Sequence, residues 1–454
     1  MREDDARLEL GEEELAEALE IFRSLIRADT SNPPGRERVA VDLLAAVFDS
    51  RGIAYEIHER EPGRASIVAR LVAGGRSPDG SSPDGGEGPL ILLSHLDVVG
   101  ADPGLWTHPP FAAEEAELSI WGRGTLDTKQ LTAMELAAFL HLAGSTLPPK
   151  REIIFAATAD EEAGSRHGME YLSRGPLAGA PGGLAISEGG GFPIRLDGKD
   201  FVLCTVGEKG MCRIRLTSGN GTGEAGGPSD GDDARAIADG LRRLLSYEGA
   251  PNLGGVARRF LEGAGIAPEK AAVVRAEGDS LIDEGLRGLL RYVLYDSVIV
   301  GSLSGPAQET SGGPAFTAEV EFRVDPSMTE GRVREIVASL LRGSAALWEI
   351  AAFEPGFESD SASPLPAMLE ASCRRYGLDA ELLPILALGR TDGRFIGTKG
   401  ASVFGFSPVL PRDEFREVLK RVHGNDERIG LDSFFFGCRV LTRTIMELCA
   451  PLEM

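Results

Sequence analysis

Three short apolar runs each end in acidic residues or a histidine, and this pattern constrains the fold of the chain more than any other. The runs are PLILLSHLDVV at 89–99, REIIFAATADEE at 151–162 and LAISEGGG at 184–191. Apolar runs without alternation are typical of strands buried on both faces, in a sheet that helices cover. Helical patterns at 12–28, 37–51 and 129–145 supply such helices. We therefore expect an α/β fold with a layered sheet.

A change of texture near residue 207 indicates a second, inserted domain. GMCRIRLTSG alternates as a half-buried strand does, and a Gly-rich loop follows at 219–233. Beyond it the pattern predicts helices near 234–247, 280–292 and 329–343 and strands near 296–303 and 315–324. A strand at 401–406 and a helix at 431–449 then resume the first domain. We expect domain boundaries that give 1–206, 207–355 and 356–454.

Composition excludes several classes of function. The 454 residues carry a net charge of −23, whereas nucleic acid and anionic membranes both require a basic face, so we expect neither as a partner. The five cysteines form no CxxC pair, which argues against disulfides and thiolate zinc sites. The N-terminus is charged and no long apolar run occurs, so we expect neither a signal peptide nor a membrane span. The expected location is cytoplasmic.

The polar residues at the strand ends are the candidates for chemistry. His95 and Asp97 share one face of a strand, Asp127 opens a helix, acids at 160–162 close the second strand, and Glu188 closes the third. Taken singly, each has an ordinary structural explanation: a packed histidine, a helix N-cap or a solvated turn. Because sites in open α/β sheets gather beyond the carboxyl ends of strands, we expect these residues to converge.

Histidine and several carboxylates without cysteine suit zinc, or cobalt or manganese in its place. A hydrolytic site with two metal ions shares one carboxylate between the ions and keeps another carboxylate free to accept a proton from water. The residues alone decide neither which acid of the 160–162 group is that base nor which histidine completes the site.

Six motifs carry a family resemblance. SHLDVV, GRGTLDTKQ, ADEEAGS, SEGGG, GRTDGRF and HGNDER occur in the order found in the M20 metallopeptidases, a family that includes carboxypeptidase S, aminoacylase-1 and succinyl-diaminopimelate desuccinylase. The resemblance implies a three-layer α/β/α catalytic domain with an inserted α+β sandwich lid of the dimerisation type. It implies two Zn²⁺ ions and assigns them these ligands: His95 and Glu188 for one ion, Glu162 and His423 for the other, with Asp127 bridging.

The same resemblance implies roles for other residues and a function. Asp97 would orient His95, and Glu161 would activate the bridging water. The reaction would be hydrolysis of an amide bond in a small peptide or N-acyl amino acid. Arg394 of TDGRF is the candidate for binding a substrate carboxylate, with Arg323 of the inserted domain as a second candidate. A homodimer is a further expectation.

The inserted domain departs from the family pattern. A lid histidine common in the family is missing, because no histidine occurs between His167 and His423, and Glu224 or its neighbours occupy the place. Losing one oxyanion donor costs on the order of 10²–10³ in rate. The chain is then either a hydrolase with another donor, such as Asn220 or Arg323, or a metal-binding homologue with impaired or altered activity. A two-metal phosphoesterase is a third reading, for which few basic residues lie in the motifs.

Overall fold

The structure is a computed structural model that describes residues 7–74, 88–145, 148–178, 182–196, 198–218, 232–267, 269, 284–305, 316–413 and 415–450. The chain divides into two compact units. Unit 1 comprises Met1–Val206 and Ser359–Met454, and unit 2 comprises Gly207–Glu358. The short segments Gly207–Glu208 and Phe357–Glu358, at the two ends of unit 2, pair with each other.

The helices, in chain order, are α1 (Glu12–Arg27), α2 (Arg38–Arg51), α3 (Lys129–Ala143), α4 (Met169–Leu172), α5 (Asp232–Leu245), α6 (Gly255–Gly263), α7 (Glu284–Leu294), α8 (Glu330–Leu340), α9 (Leu365–Arg375), α10 (Arg394–Gly397), α11 (Phe415–Arg421) and α12 (Leu431–Cys449). The strands are β1 (Tyr55–Glu61), β2 (Arg64–Leu71), β3 (Leu90–His95), β4 (Glu114–Ala116), β5 (Ser119–Trp121), β6 (Ile153–Thr158), β7 (Leu184–Ser187), β8 (Pro193–Leu196), β9 (Lys199–Thr205), β10 (Gly207–Glu208), β11 (Gly210–Thr217), β12 (Ser297–Ser304), β13 (Thr317–Val324), β14 (Leu347–Glu354), β15 (Phe357–Glu358), β16 (Glu381–Ile385), β17 (Ser402–Gly405) and β18 (Arg428–Gly430).

A mixed sheet forms the centre of unit 1, in the order β1-β2-β6-β3-β7-β17-β9-β16, and β8 pairs with β9. β6, β3, β7 and β17 run parallel to one another. Every residue of β3 and β6 is buried, which explains their unbroken apolar sequences. Helices α1, α3 and α12 pack together, and the rings of Phe22 and Phe434 stack with centroids 4.7 Å apart.

Unit 2 is an α+β unit around an antiparallel sheet in the order β12-β13-β11-β14. Alternate residues of β11 and β13 enter its core, where Cys212 lies opposite Phe322 and Ile214 opposite Val320. Val333 and Val337 of α8 cover them. At the edge of the sheet, β12 exposes Ile299, Val300 and Leu303. The expected fold class, an α/β domain with an inserted α+β domain, is confirmed.

Three predictions from the sequence fall wholly or partly outside the described residues. The Gly/Ser/Pro/Asp-rich run at 73–88 predicts a surface excursion, and 75–87 of it lie outside the described part. So does the region of the missing lid histidine at 219–231, with Asn220 and Glu224. The third is SGGPAF at 311–316, which stands where the M20 pattern has an Asn-containing segment and is described only at residue 316. The sequence pattern did not indicate β9, β14, β16, α6 or α9. All five cysteines are free and buried. Among the described residues, no helix combines the length and apolar character needed to cross a bilayer.

Candidate metal centre

The parallel strands β6, β3 and β7 bring the polar strand ends together. In the register of β3 and β6, His95 lies beside Thr158, two residues before the acids at 160–162. β7 runs parallel to β3 on its other side and ends at Ser187, directly before Glu188. The carboxyl ends of all three strands therefore open onto one edge of the sheet, where sites of open α/β folds are found.

Two groups of side chains at this edge could each hold a metal ion. The first cluster is His95, Asp127 and Glu188, and the second cluster is Asp127, Glu162 and His423. In the first, the Nε2 atom of His95 lies 3.1 Å from Asp127 Oδ1 and 3.4 Å from Glu188 Oε2. In the second, the Nε2 atom of His423 lies 3.0 Å from Asp127 Oδ2 and 3.1 Å from Glu162 Oε2. Asp127 thus presents one oxygen to each cluster.

His95 and Asp97 belong to the same strand end, but the carboxylate of Asp97 mainly binds backbone groups. Its oxygens accept hydrogen bonds from the N–H groups of Glu161 and Glu162 at 3.0 and 3.1 Å, and from Asn32 Nδ2 at 2.9 Å. The Nδ1 atom of His95 lies 2.9 Å from the main-chain oxygen of Asp97 and 3.6 Å from its carboxylate. Nδ1–H donation to that carbonyl leaves Nε2 free to bind a metal ion.

Glu161 belongs to neither cluster, although it is adjacent to Glu162. Its side chain is 9% exposed, and its Oε1 atom lies 4.0 Å from Arg394 Nη1. Both acids occupy the 3-10 turn Glu161–Ala163 that follows β6, and the backbone of this turn is bound to Asp97. Two neighbouring carboxylates with the same anchor therefore have different surroundings, since Glu162 contacts His423 and Glu161 lies 4.0 Å from Arg394.

Burial and mutual repulsion perturb the ionisable groups of the centre. Burial, with Glu188 as the next cause, raises the pKa of Glu161 well above its usual value. Burial also raises the pKa of Glu188 to about 7. The pKa of Asp127 is lowered in spite of burial, because His423 and His95 hydrogen-bond to it. Contact with Asp127 raises the pKa of His423 to about 10. Bound protons or bound cations would relieve the repulsion among these carboxylates.

The buried carboxylate of Glu427 positions Asp127, and the sequence analysis missed it. Its oxygens accept hydrogen bonds from the backbone N–H groups of Gly124, Leu126 and Asp127 at 3.0, 2.6 and 3.1 Å. Gly124 has φ +89°, and a Cβ atom there would lie 2.9 Å from Val98 Cγ1, so this turn requires glycine. Glu427 lies in the HGNDER motif, and that motif was the one signal that could have found it.

Arg394, the predicted partner of a substrate carboxylate, is 7% exposed and bound to its own surroundings. Its guanidinium donates to the carbonyl oxygens of Thr391 at 2.6 Å and Gly164 at 3.3 Å, and to Ser165 Oγ at 3.2 Å. The carboxylate of Asp392, also missed from sequence, accepts hydrogen bonds from Ser165 Oγ and, at 2.5 Å, from Thr158 Oγ1. These contacts connect the TDGRF motif to the loop that carries Glu161.

The remaining predicted residues lie elsewhere. Arg323 is on β13 of unit 2, opposite Met211 of β11 and Ser297 of β12. The four other histidines of the chain belong to neither cluster, and these are His58, His108, His141 and His167.

Unit 1 thus carries two histidine–carboxylate clusters that could each hold a metal ion, at the carboxyl ends of its parallel strands. Residues 91–447 match the model of Peptidase family M20/M25/M40, and the chain belongs to this family. The resemblance inferred from the six motifs is confirmed.

Two relatives are similar over most of their length, and a third, the desuccinylase, over about a third of its length. Aminoacylase-1 of Homo sapiens is 25% identical over 452 residues, which cover 97% of each chain. The N-fatty-acyl-amino acid synthase/hydrolase PM20D1 of Xenopus tropicalis is 26% identical over 362 residues, 76% of this chain and 69% of that protein. Succinyl-diaminopimelate desuccinylase of Paracoccus denitrificans is 38% identical over 149 residues, 33% of this chain and 35% of that protein.

Solved structures share the fold. The M20 family metallo-carboxypeptidase Sso-CP2 of Sulfolobus solfataricus has a TM-score of 0.67 at 18% identity and covers 96% of this chain and 99% of its own. The dipeptidase Dug1p of Saccharomyces cerevisiae has a TM-score of 0.63 at 14% identity and covers 99% of each chain.

Proposed function

We propose that this protein is a hydrolase that uses two divalent cations, Zn²⁺ or, in its place, Co²⁺ or Mn²⁺, to cleave the amide bond of a small peptide or an N-acyl amino acid. His95 and Glu188 would hold one cation, Glu162 and His423 the other, and Asp127 both. Glu161 would serve as the general base.

The observation that carries the proposal is the position of Asp127. Its Oδ1 and Oδ2 atoms lie 3.1 and 3.0 Å from the Nε2 atoms of His95 and His423, respectively. A single carboxylate with one oxygen toward each of two imidazoles has the arrangement of a bridging ligand in a two-metal site.

The donor atoms support divalent metals of this kind. Imidazole and carboxylate suit zinc, manganese and cobalt, and the clusters contain no thiolate. The Oε1 atom of Glu162 is buried and has no hydrogen-bond partner among the described residues, so a cation would satisfy it. The contact between His95 Nδ1 and a carbonyl oxygen is of the kind that orients metal-bound histidines.

Cations at this centre would polarise the amide carbonyl and lower the pKa of a water molecule. The protein's own task is then the transfer of protons. Glu161 has a carboxylate outside both clusters and a raised pKa, so it can take a proton from the attacking water and pass it to the leaving amine. The backbone bonds from the acid pair to Asp97 keep this carboxylate in place through both steps.

The substrate class comes from the relatives. Aminoacylase-1, the N-fatty-acyl-amino acid synthase/hydrolase and the succinyl-diaminopimelate desuccinylase are each named for an acyl group or an acylated amino acid. An N-acyl amino acid carries a carboxylate, for which an arginine is a suitable partner. Arg394 and Arg323 stay our candidates for it. For this role, the guanidinium of Arg394 would have to give up its hydrogen bond to the carbonyl oxygen of Thr391 and donate to the substrate carboxylate instead.

We also propose a homodimer that forms through unit 2. β12 is an edge strand of the unit 2 sheet and exposes Ile299, Val300 and Leu303, with Leu303 62% exposed. Edge strands with apolar side chains pair readily with another strand. Light scattering at several concentrations tests this, and a monomer throughout would contradict it.

The central experiment is an assay of the zinc-loaded protein against a panel of N-acyl amino acids and dipeptides. We expect turnover that a chelator abolishes and added Zn²⁺ restores. p-Nitrophenyl phosphate in the same panel distinguishes a phosphoesterase. If the metal-loaded protein cleaves no amide, the hydrolase proposal is wrong. The protein is then a metal-binding homologue with impaired or altered activity.

A further inference from the structure

A buried ion pair connects the two loops that carry the ligands of the second cluster. Arg123 Nη1 lies 2.7 Å from Glu427 Oε2, and the side chains of these residues are 3% and 0% exposed, respectively. Arg123 belongs to the turn between β5 and α3, and Glu427 precedes β18. β18 pairs with β5, and the N–H of Gly122 donates to the main-chain oxygen of Glu427 at 2.9 Å. The pair therefore lies where the two segments are already hydrogen-bonded.

Glu427, one partner of this ion pair, holds the backbone of Asp127 in place. Besides Arg123, the carboxylate of Glu427 accepts three backbone N–H groups of the turn, including that of Asp127 itself. These N–H groups precede α3, so the helix offers them no carbonyl partner. A single buried carboxylate thus sets the path of the backbone up to Asp127.

Arg123, the other partner of the ion pair, holds the loop that carries His423. Arg123 Nη2 donates to the carbonyl oxygen of Gly424 at 2.6 Å, in the residue directly after His423. The side chain of His423 is 53% exposed, and its φ is +60°. Packing therefore holds this imidazole only in part, and its position depends on the backbone that carries it. Asp426 adds an anchor by accepting hydrogen bonds from the N–H and Oγ1 groups of Thr107 at 2.7 and 2.8 Å.

We infer that Arg123 and Glu427 are positioning residues that set the spacing between Asp127 and His423 and thereby the affinity of the second cluster for its ion. The first cluster depends less on them, because His95 and Glu188 stand at the ends of buried strands β3 and β7. The inference rests on the proposed two-metal function. Residues that orient metal ligands typically change metal affinity by about 10- to 100-fold when they are replaced.

Arg123→Met is the main test, because it cuts the connection to Gly424 and leaves the three N–H bonds of Glu427 in place. Removing one partner of a buried ion pair can impair folding, whereas removing both is better tolerated. The double variant Arg123→Met/Glu427→Gln is therefore made in parallel. Circular dichroism and thermal unfolding of the metal-free proteins verify that each variant folds.

Arg70→Met is the matched control. Like Arg123, Arg70 joins a carboxylate, Glu152 at 3.0 Å, to a backbone carbonyl, that of Pro176 at 2.7 Å. None of these three residues belongs to either cluster. His423→Ala serves as the reference for a protein that has lost a ligand of the second cluster.

Equilibrium dialysis over a range of free Zn²⁺ concentrations, followed by mass spectrometry of the metal content, gives the number of zinc ions bound per protein molecule. We expect two ions for the unaltered protein and for Arg70→Met. In Arg123→Met the first ion should bind as before, and the second should bind about 10- to 100-fold more weakly. The double variant also weakens the hydrogen bonds that hold Asp127, which belongs to both clusters, so it should bind both ions more weakly. His423→Ala should show the same selective loss.

Two results would overturn the inference alone: a second ion bound with unchanged affinity in a folded Arg123 variant, or an equal loss in Arg70→Met. Fewer than two ions in the unaltered protein at saturation would overturn the two-metal proposal, and the inference with it. The dialysis curve of the unaltered protein therefore separates the two failures.

Discussion

Replacing Lys129 with methionine measures how much the buried charge of this lysine lowers the free energy of unfolding. Lys129 is 0% exposed. Its Nζ atom donates to the carbonyl oxygens of Leu25 at 2.9 Å and Ala28 at 2.8 Å, at the carboxyl end of α1. Burial lowers the pKa of Lys129 from 10.5 to about 7, although carboxylates such as Asp29 act to raise it.

The sign of the resulting pH dependence follows from the proton count. The unfolded chain keeps the lysine proton up to about pH 10.5, whereas the folded chain releases it near pH 7. The unfolded state thus binds more protons between these values, so the free energy of unfolding rises with pH. At about 1.36 kcal/mol per pKa unit, the whole shift corresponds to about 5 kcal/mol, of which about 2 kcal/mol is recovered between pH 7 and pH 9.

Lys129→Met has no such proton, so the difference in unfolding free energy, unaltered protein minus variant, should rise by about 2 kcal/mol from pH 7 to pH 9. Urea unfolding in the presence of a chelator measures it without the pH dependence of metal binding. In a Trp348→Phe background, fluorescence from Trp106 and Trp121 reports on unit 1 alone. Lys420→Met, at an exposed side chain, controls for the loss of a positive charge. Parallel profiles for Lys129→Met and the unaltered protein would refute the reasoning.

Three further substitutions test the site and the core. Glu161→Gln should lower kcat by about 10²–10⁴, because the base is lost. It should leave the zinc content unchanged, because Glu161 is in neither cluster, and a kcat within about tenfold of the original would contradict its role. Glu162→Gln removes a proposed ligand, so mass spectrometry should find less bound zinc, and full occupancy at unchanged affinity would exclude Glu162 from the site. Phe434→Ala empties a fully buried position that stacks on Phe22 and should lower the free energy of unfolding by about 3–5 kcal/mol in a urea titration. A loss below about 1 kcal/mol would show that the packing of α1, α3 and α12 contributes little to the free energy of unfolding.

His95 and Glu188 could be predicted as candidates from the sequence because they stand at the ends of buried strands. A strand buried on both faces has a recognisable apolar sequence, and polar residues at its end are conspicuous. Parallel pairing of β3 with β6 and β7 then brings His95 and Glu188 to one edge. Asp127 was a candidate only as an acid that opens a helix, and the grouping of the three residues around one ion came from the family resemblance.

The second cluster was harder because it depends on loops. His423 lies in a half-exposed loop far along the chain from Asp127, and only the family resemblance singled it out. Glu161 and Glu162 are indistinguishable in sequence, and their separation comes from the turn that points Glu162 at His423. Glu427 and Asp392 read as ordinary loop acids, since burial of a carboxylate depends on partners such as Arg123 that are distant in sequence.

The burial of all five cysteines makes the chain ready for site-directed labelling. Burial raises the pKa of the Cys204 and Cys212 thiols to about 12 and about 11, so neither is an effective nucleophile near neutral pH. An engineered cysteine at an exposed position would then react selectively with a maleimide dye or spin label, with no native thiol to remove first. One such label on unit 1 and another on unit 2 would let energy transfer or pulsed spin resonance follow the distance between the units as substrate binds.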